Sequence, residues 1–385
     1  MEVVFWSSVG AIALTYGAYP LLLKVAALCG IGRAVRRAPT EPLVTLLISA
    51  YNEAPVIAQK LENTLALDYP RERLQIVVIS DASSDETDAI VRTFAARGIE
   101  LLRMNARGGK TLGLNAAVAR ARSDVIVFSD ANAMYVPAAL RSLVRNFADP
   151  TVGAVTGQQR YVQEGAGQSA ASESLYWRYE SAIKRLESAV GSVVGGDGAI
   201  YALRRELYRP MGSADLSDFV NPLGVVALGY RNVYEPEAVC VEHGGETFEK
   251  EFRRKVRIVN RAWRALLGLR GLMNPFRFGV FALQLIVHKL IRWLVPVFML
   301  LALASSIYLA LASQFFRIVL AAQLLFYALA LIGWLRSNAA RLSRIFYVPY
   351  YFCLVNLASL VGIMDNYRGK TYATWKTARE QPPQH

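Results

Sequence analysis

"VIVFSDANAMY", residues 125–135, is a continuous apolar, β-branched run that stops abruptly on an acid, a small residue and an amide. Three earlier runs share its character: "LVTLLIS" (43–49), "LQIVVIS" (74–80) and "IELLRM" (99–104). Helix-like segments begin between and after them, near Pro55, Ser84, Gly109 and Pro137, and Ser84 with Thr87 and Asp88 has the composition of an N-terminal cap region. Repeated βα units predict an α/β fold whose mostly parallel sheet is covered on both faces.

Open sheets of this kind bind ligands beyond the carboxyl ends of their strands. Tyr51, Asn52 and Glu53 follow the first run, Asp81 the second, Asn105 through Lys110 the third, and Asp130, Ala131 and Asn132 the fourth. Polar residues after one strand are ordinary turn chemistry. Four such loops on one edge predict a site. "RGGKT" (107–111) is not a P-loop, because that motif needs glycine where this chain has Met104. Neither a G-x-G-x-x-G after the first strand nor a serine nucleophile elbow is present. What remains is an edge where Asp81 can hydrogen-bond a base, Tyr51 can stack on it, and Asp130 can hold a divalent cation against a diphosphate. Mg²⁺ commonly uses only one or two protein carboxylates, with phosphates and water completing its shell. Asn132 offers a carbonyl oxygen there, but no charge.

The chain of 385 residues is 54% apolar and 19% charged, greasy for a wholly soluble protein. Four stretches without a charged residue, Val3–Leu23, Trp293–Phe316, Ile318–Leu335 and Ile345–Met364, are each close to the ~20 residues that cross a hydrocarbon core. The first lacks a basic n-region and reads as an uncleaved anchor. Arg33, Arg36 and Arg37 after it predict that the following segment is cytoplasmic. Ten Lys/Arg and no acid lie between Phe252 and Arg292, and Arg277, Gln284, His288 and Arg292 line one helical face. That is an interfacial helix leading into a span. Three crossings after a cytoplasmic domain would put the tail outside, whereas Arg368, Lys370, Lys376 and Arg379 argue for inside; one of the four stretches is therefore expected to be re-entrant or interfacial, Ile345–Met364 with its early Pro349 first among them. The expected organisation is an anchor (1–30), a soluble domain (42–250), basic interfacial helices (251–292), membrane helices (293–364) and a basic tail (365–385). A net charge of +13 suggests anionic partners, and Cys29, Cys240 and Cys353 lie too far apart for a disulfide framework or a zinc site.

Taken in order and spacing, "SAYNE" (49–53), "SDASSDET" (80–87), "GGKTLGLN" (108–115) and "SDANA" (129–133) resemble family 2 glycosyltransferases, in particular membrane-bound polysaccharide synthases of the hyaluronan and cellulose type. The resemblance implies a GT-A (Rossmann-like) fold, a nucleotide-sugar donor that is usually UDP-linked, Mg²⁺ or Mn²⁺, and inversion at the anomeric carbon. It implies that Tyr51, Glu53, Asp81 and Lys110 lie at the donor, and that Asp130, with Asn132 in the place of a second acid, meets the metal and diphosphate. The family's base is an Asp eleven residues before Gly-Tyr-Arg; here Asp218 stands eleven before "GYR" (229–231), with Ser217 where the family has Glu. "GGDGAIYALRRE" (195–206) resembles the acceptor-side loop, which puts Asp197 at the acceptor. The Gln-x-x-Arg-Trp motif is matched only by "RKVRI": Arg254 replaces Gln and is expected on the acceptor side, Arg257 is retained for the departing diphosphate, and Ile258 replaces Trp. His243 is a candidate third metal ligand by similarity to relatives that transfer sugar to lipid. "TWKTAR" (374–379) resembles a gating segment of hyaluronan-type enzymes and supports a cytoplasmic tail.

The expectation is therefore an inner-membrane enzyme that moves a sugar to a saccharide or lipid-linked acceptor in exopolysaccharide or envelope glycan synthesis. Alternatives are a polyprenyl-phosphate monoglycosyltransferase and a non-catalytic membrane sensor or transporter of sugar nucleotides. The apolar stretches lack the intramembrane charges transport paths usually need, and the basic run adjoins a span rather than a nucleic-acid module, so membrane lipids and not nucleic acid are the expected anionic surface.

Overall fold

The computed structural model describes residues 1–162, 168–243, 247–337 and 343–372, with backbone alone for 168–176 and His243. The four apolar runs are strands: β1 Val44–Ala50, β2 Leu74–Ser80, β3 Ile99–Arg103 and β4 Val125–Asp130. β1 pairs in parallel with both β2 and β4, and β2 with β3. Leu46, Ile48, Ile76 and Val78 enter one buried cluster, while Leu47, Val77, Ile79 and Phe128 enter a second on the opposite face. Burial on both faces is why these strands read as unbroken apolar runs rather than alternating ones.

β5 Met134–Tyr135, β6 Val152–Val162, β7 Ile200–Arg204 and β8 Arg231–His243 extend the sheet to the order β3-β2-β1-β4-β7-β6-β8-β5. β7 runs antiparallel to both β4 and β6, and β8 is parallel to β6. The helix after β1, Ala54–Leu65, carries Pro55 in its first turn and buries Ile57, Lys60, Leu61 and Thr64. The helix read as starting near Ser84 starts instead at Thr87. Asp85 is the reason: its Oδ1 accepts from the Thr87 amide at 3.0 Å and from the Thr87 hydroxyl at 2.5 Å, while the Ser84 amide donates to Asn52.

Two compact units divide the chain. The α/β unit comprises Gly32–Val162, Glu187–His243 and Tyr372–His385; the helical unit comprises Met1–Ile31, Gln163–Leu186 and Gly244–Thr371. Most of the helix Gln168–Val190 thus groups with the helical unit, although it lies inside the 42–250 segment read as soluble.

Among the described residues of the helical unit, four helices are long and apolar enough to cross a membrane: Glu2–Leu28, Val280–Ala310, Gln314–Leu335 and Arg344–Tyr367. The second differs from the expected Trp293–Phe316. The chain turns at Leu311–Ser313, where the Arg317 guanidinium reaches back to the Ala310 carbonyl at 2.9 Å and satisfies an acceptor that the helix end exposes. Arg344–Tyr367 runs through Pro349 as one continuous helix, since a single missing N–H is tolerated in a long apolar helix. The basic helix Phe248–Gly268 packs on it closely at Gly362, where a Cβ would meet the Val256 carbonyl at 2.7 Å.

Candidate functional site

At the carboxyl edge of β1 and β2 two loops are sewn together. Asn52, left-handed at φ 51°, accepts from the Ser84 amide at 2.9 Å; the Glu53 amide donates to the Thr87 hydroxyl at 2.8 Å, and the Ala54 amide to Asp85 at 3.1 Å. Asp81, buried at the end of β2, accepts from the amides of Gly108 at 2.8 Å and Gly109 at 2.9 Å. It therefore anchors the loop after β3, and each oxygen retains a lone pair for a further donor. The Arg107 guanidinium from that loop lies 3.6 Å from the centroid of the Tyr51 ring.

Lys110 opens the helix Lys110–Val118, pairs with the Asp130 carboxylate at the end of β4, and donates to the Gly198 carbonyl at 3.1 Å. Tyr51, Glu53, Asp81, Arg107, Lys110 and Asp130 line one cleft that opens to solvent.

Asp218 joins from the far side. It lies in the first turn of the helix Ser217–Ala227, and the Gly195–Gly198 loop ahead of β7 presses against that turn. The Gly196 amide donates to the Asp218 carbonyl at 2.5 Å, and a Cβ on Gly196 would meet that oxygen at 2.8 Å. A Cβ on Gly198 would stand 3.3 Å from Asp218 Oδ2 and 3.7 Å from Lys110 Nζ, so the carboxylate and the ammonium flank the same glycine. Asp197 is buried within this loop and its Oδ1 accepts from the Ala199 amide at 3.4 Å.

The α/β unit thus gathers Tyr51, Glu53, Asp81, Lys110 and Asp130 at one rim, with Asp218 across Gly198 from Lys110 and Asp197 buried in the adjoining loop. Arg254 and Arg257 belong to the helical unit, on Phe248–Gly268, where Arg254 donates to Glu251 at 2.7 Å. Burial works to raise the pKa of Glu251, but Lys255 and Arg254 outweigh it and hold the carboxyl below the usual range. The side chain of His243 and the segment "TWKTAR" lie outside the described residues.

Asn132 is near a carboxylate after all: its Nδ2 donates to Glu242 on β8 at 3.4 Å. Among the described residues no group of three or more His, Cys, Asp or Glu side chains is arranged to hold a metal. Asp130 and the Asn132 carbonyl oxygen nevertheless fit a hard cation that takes most of its shell from phosphate and water.

Two residues of this region escaped the sequence reading, Glu242 and Lys60. The Lys60 amine is wholly buried, donates to the Ala133 carbonyl and lies 4.2 Å from the centroid of the Tyr135 ring. Desolvation pushes its pKa down to about 7, against the opposing pull of Cys240, Asp130 and Glu242. A signal for it existed: Lys60 falls on the same helical face as Ile57, Leu61 and Thr64.

Residues 45–210 match the family model described as "Glycosyl transferase family 2". The probable glycosyltransferase YdaM of Bacillus subtilis is 30% identical over 235 residues, 56% of this chain and 54% of that protein. Poly-beta-1,6-N-acetyl-D-glucosamine synthase of Staphylococcus aureus is 27% identical over 248 residues, 63% of this chain and 60% of that protein. The alignments therefore span little more than half the length of these curated relatives. A solved structure of the mannosyltransferase PcManGT from Pyrobaculum calidifontis, in complex with GDP-Man and Mn²⁺, superposes with a TM-score of 0.72 at 25% identity, covering 95% of this chain and 99% of that one. The α/β unit, with its mixed, mostly parallel sheet, is GT-A-like.

Proposed function

We propose that this chain, whose residues 45–210 match the glycosyl transferase family 2 model, transfers a sugar from a nucleoside-diphosphate donor to a saccharide or lipid-linked acceptor, with its catalytic unit on the cytoplasmic side of the inner membrane. One observation carries this reading: Asp81, Asp130 and Asp218, distant along the chain, converge with Lys110 on one rim around Gly198 and the 107–109 loop.

In this reading Tyr51 and Asp81 receive the base, Glu53 and Lys110 border the donor, and Asp130 with Asn132 would hold a Mg²⁺ or Mn²⁺ ion. Such a cation, when bound, neutralises diphosphate charge as the leaving group departs. Asp218 accepts the proton of the acceptor hydroxyl while that oxygen attacks the anomeric carbon and the bond to the diphosphate breaks. Asp197 and Arg254 are candidates for the acceptor side, and Arg257 is the candidate cation for the departing diphosphate.

The polysaccharide-synthase relative supports an N-acetylhexosaminyl donor, and the mannosyltransferase supports a GDP-linked one. Ile258, standing where polymerising relatives are expected to carry Trp, favours transfer of single sugars to a lipid-linked acceptor as a second reading. The purified full chain, given UDP- and GDP-sugars in turn with Mn²⁺, should release one nucleotide preferentially, and mass spectrometry of the product reads sugar and chain length. Asp218→Asn should abolish transfer, lowering the rate by about 10³-fold or more, while UDP or GDP binding stays near wild type. Unimpaired turnover by that variant would remove Asp218 from the mechanism.

A further inference from the structure

Position 132, where the family is expected to carry a second acid, meets a residue far along the chain. The antiparallel register of β5 and β8, Met134 opposite Val241 and Tyr135 opposite Cys240, brings the Asp130–Ala133 turn alongside the end of β8. There Asn132 Nδ2 donates to Glu242 Oε2 at 3.4 Å, and Glu242 is only 8% exposed. A carboxylate accepts and never donates, so only the amide nitrogen can face it; fixing Nδ2 also fixes where Oδ1 points. Beneath the same turn, the buried Lys60 amine holds the Ala133 carbonyl, near enough to Asp130 and Glu242 to feel both charges. An acid at position 132 would place a second carboxylate within hydrogen-bonding distance of Glu242, beside Asp130, whose charge Lys110 already pairs.

We propose that Glu242 is a positioning residue that replaces the missing acid: it orients the Asn132 amide so that position 132 presents a neutral oxygen beside Asp130, while the negative charge sits behind it on β8. This rests on the reading of Asp130 as the cation and diphosphate site. Its consequence is reciprocity. The site accepts a carboxylate at 132 or at 242, but not at both and not at neither.

Four full-length proteins in detergent test it: wild type, Glu242→Gln, Asn132→Asp and the double variant. One readout is the thermal midpoint without nucleotide; the other is the affinity for Mn²⁺ with UDP or with GDP, followed by the free-Mn²⁺ electron paramagnetic resonance signal. Both single variants should melt below wild type. The double variant should recover, because the amide introduced at 242 can donate to the carboxylate introduced at 132. Glu242→Gln should weaken Mn²⁺–nucleotide binding about tenfold, a coupling of ordinary size for residues in contact, and adding Asn132→Asp should restore it to within about threefold. Additive losses in melting, or a rescue of melting with Mn²⁺ affinity unmoved throughout, would overturn the proposal; the second outcome makes the pair structural only. If Glu242→Gln fails to fold, restoration of folded protein by adding Asn132→Asp supports the pair, and failure to restore it counts against it. Asp130→Asn separates the two levels. Undiminished Mn²⁺-dependent nucleotide binding in that variant would refute the underlying reading of the rim, whatever the pair does.

Discussion

Single residues at the rim act through close contacts that admit little substitution. Gly198 is the clearest, since an added Cβ would stand 3.3 Å from Asp218 Oδ2 and the side chain would have to give way. Gly198→Ala should leave the melting midpoint close to wild type and slow transfer by about a hundredfold, as small displacements of reacting groups do; full activity in a product assay would show that Asp218 tolerates the shift. Lys60 makes a separate prediction about pH. An unfolded lysine titrates near ~10.4, whereas Lys60 in the fold titrates at about 7. Between those values the unfolded chain binds the extra proton, so stability rises with pH, and the penalty is greatest below the folded value. Wild type should therefore gain on Lys60→Met in urea midpoints between about pH 7 and pH 10, and a pH-independent difference would contradict this. The place of Asp218 beside Gly198 and Lys110 agrees with the expectation drawn from its distance to Gly-Tyr-Arg, while its role as base is a proposal. Glu242 was not legible: its meaning depends on the β5–β8 register, and two residues of β5 give little to read in advance.

Whole elements follow the same division between local and non-local causes. The four parallel strands were readable because burial on both faces writes an apolar run directly into the chain, and their ends were right within a residue. The helix break at Leu311–Ser313 was hidden because no charge marks it before Arg317, whose side chain caps the turn from beyond it. The helix Gln168–Val190 carries a further case. Glu180 is buried, with Arg292 at 2.5 Å and His288 at 3.5 Å. Burial alone would raise its pKa, but Arg292 and His288 outweigh that and hold the carboxyl well below its usual range. The pair therefore stabilises the fold above the pKa of an unfolded glutamate and loses that contribution as pH falls through the depressed value. Truncating one partner leaves a buried charge uncompensated. Arg292→Ala should lower stability by about 3–5 kcal/mol, measured as a loss of folded protein on heating in detergent, with Arg292→Lys intermediate; no loss would mean that Glu180 finds water instead.

At the scale of the molecule, the sidedness of the membrane decides whether the proposed donor can reach its site. Four span-length apolar stretches and a basic surplus were plain in composition, and the arginines after the first of them set the expected sidedness. The chain supplies its own reporter. Cys29 is exposed at the end of the helix Glu2–Leu28, just ahead of Arg33, Arg36 and Arg37. Cys240 is buried and its thiol is pushed far up by desolvation, so little of it is thiolate, while Cys353 sits partly buried within Arg344–Tyr367. A membrane-impermeant maleimide should thus report Cys29 above the other two. Positive charge after the first span predicts that Cys29 faces the cytoplasm, so inverted membrane vesicles should label and intact spheroplasts should not, with Cys29→Ser removing the signal. Labelling from outside the spheroplasts would put the following segment on the side where nucleotide sugars are not made, and an enzyme using them there would need a donor supply that nothing in this chain provides.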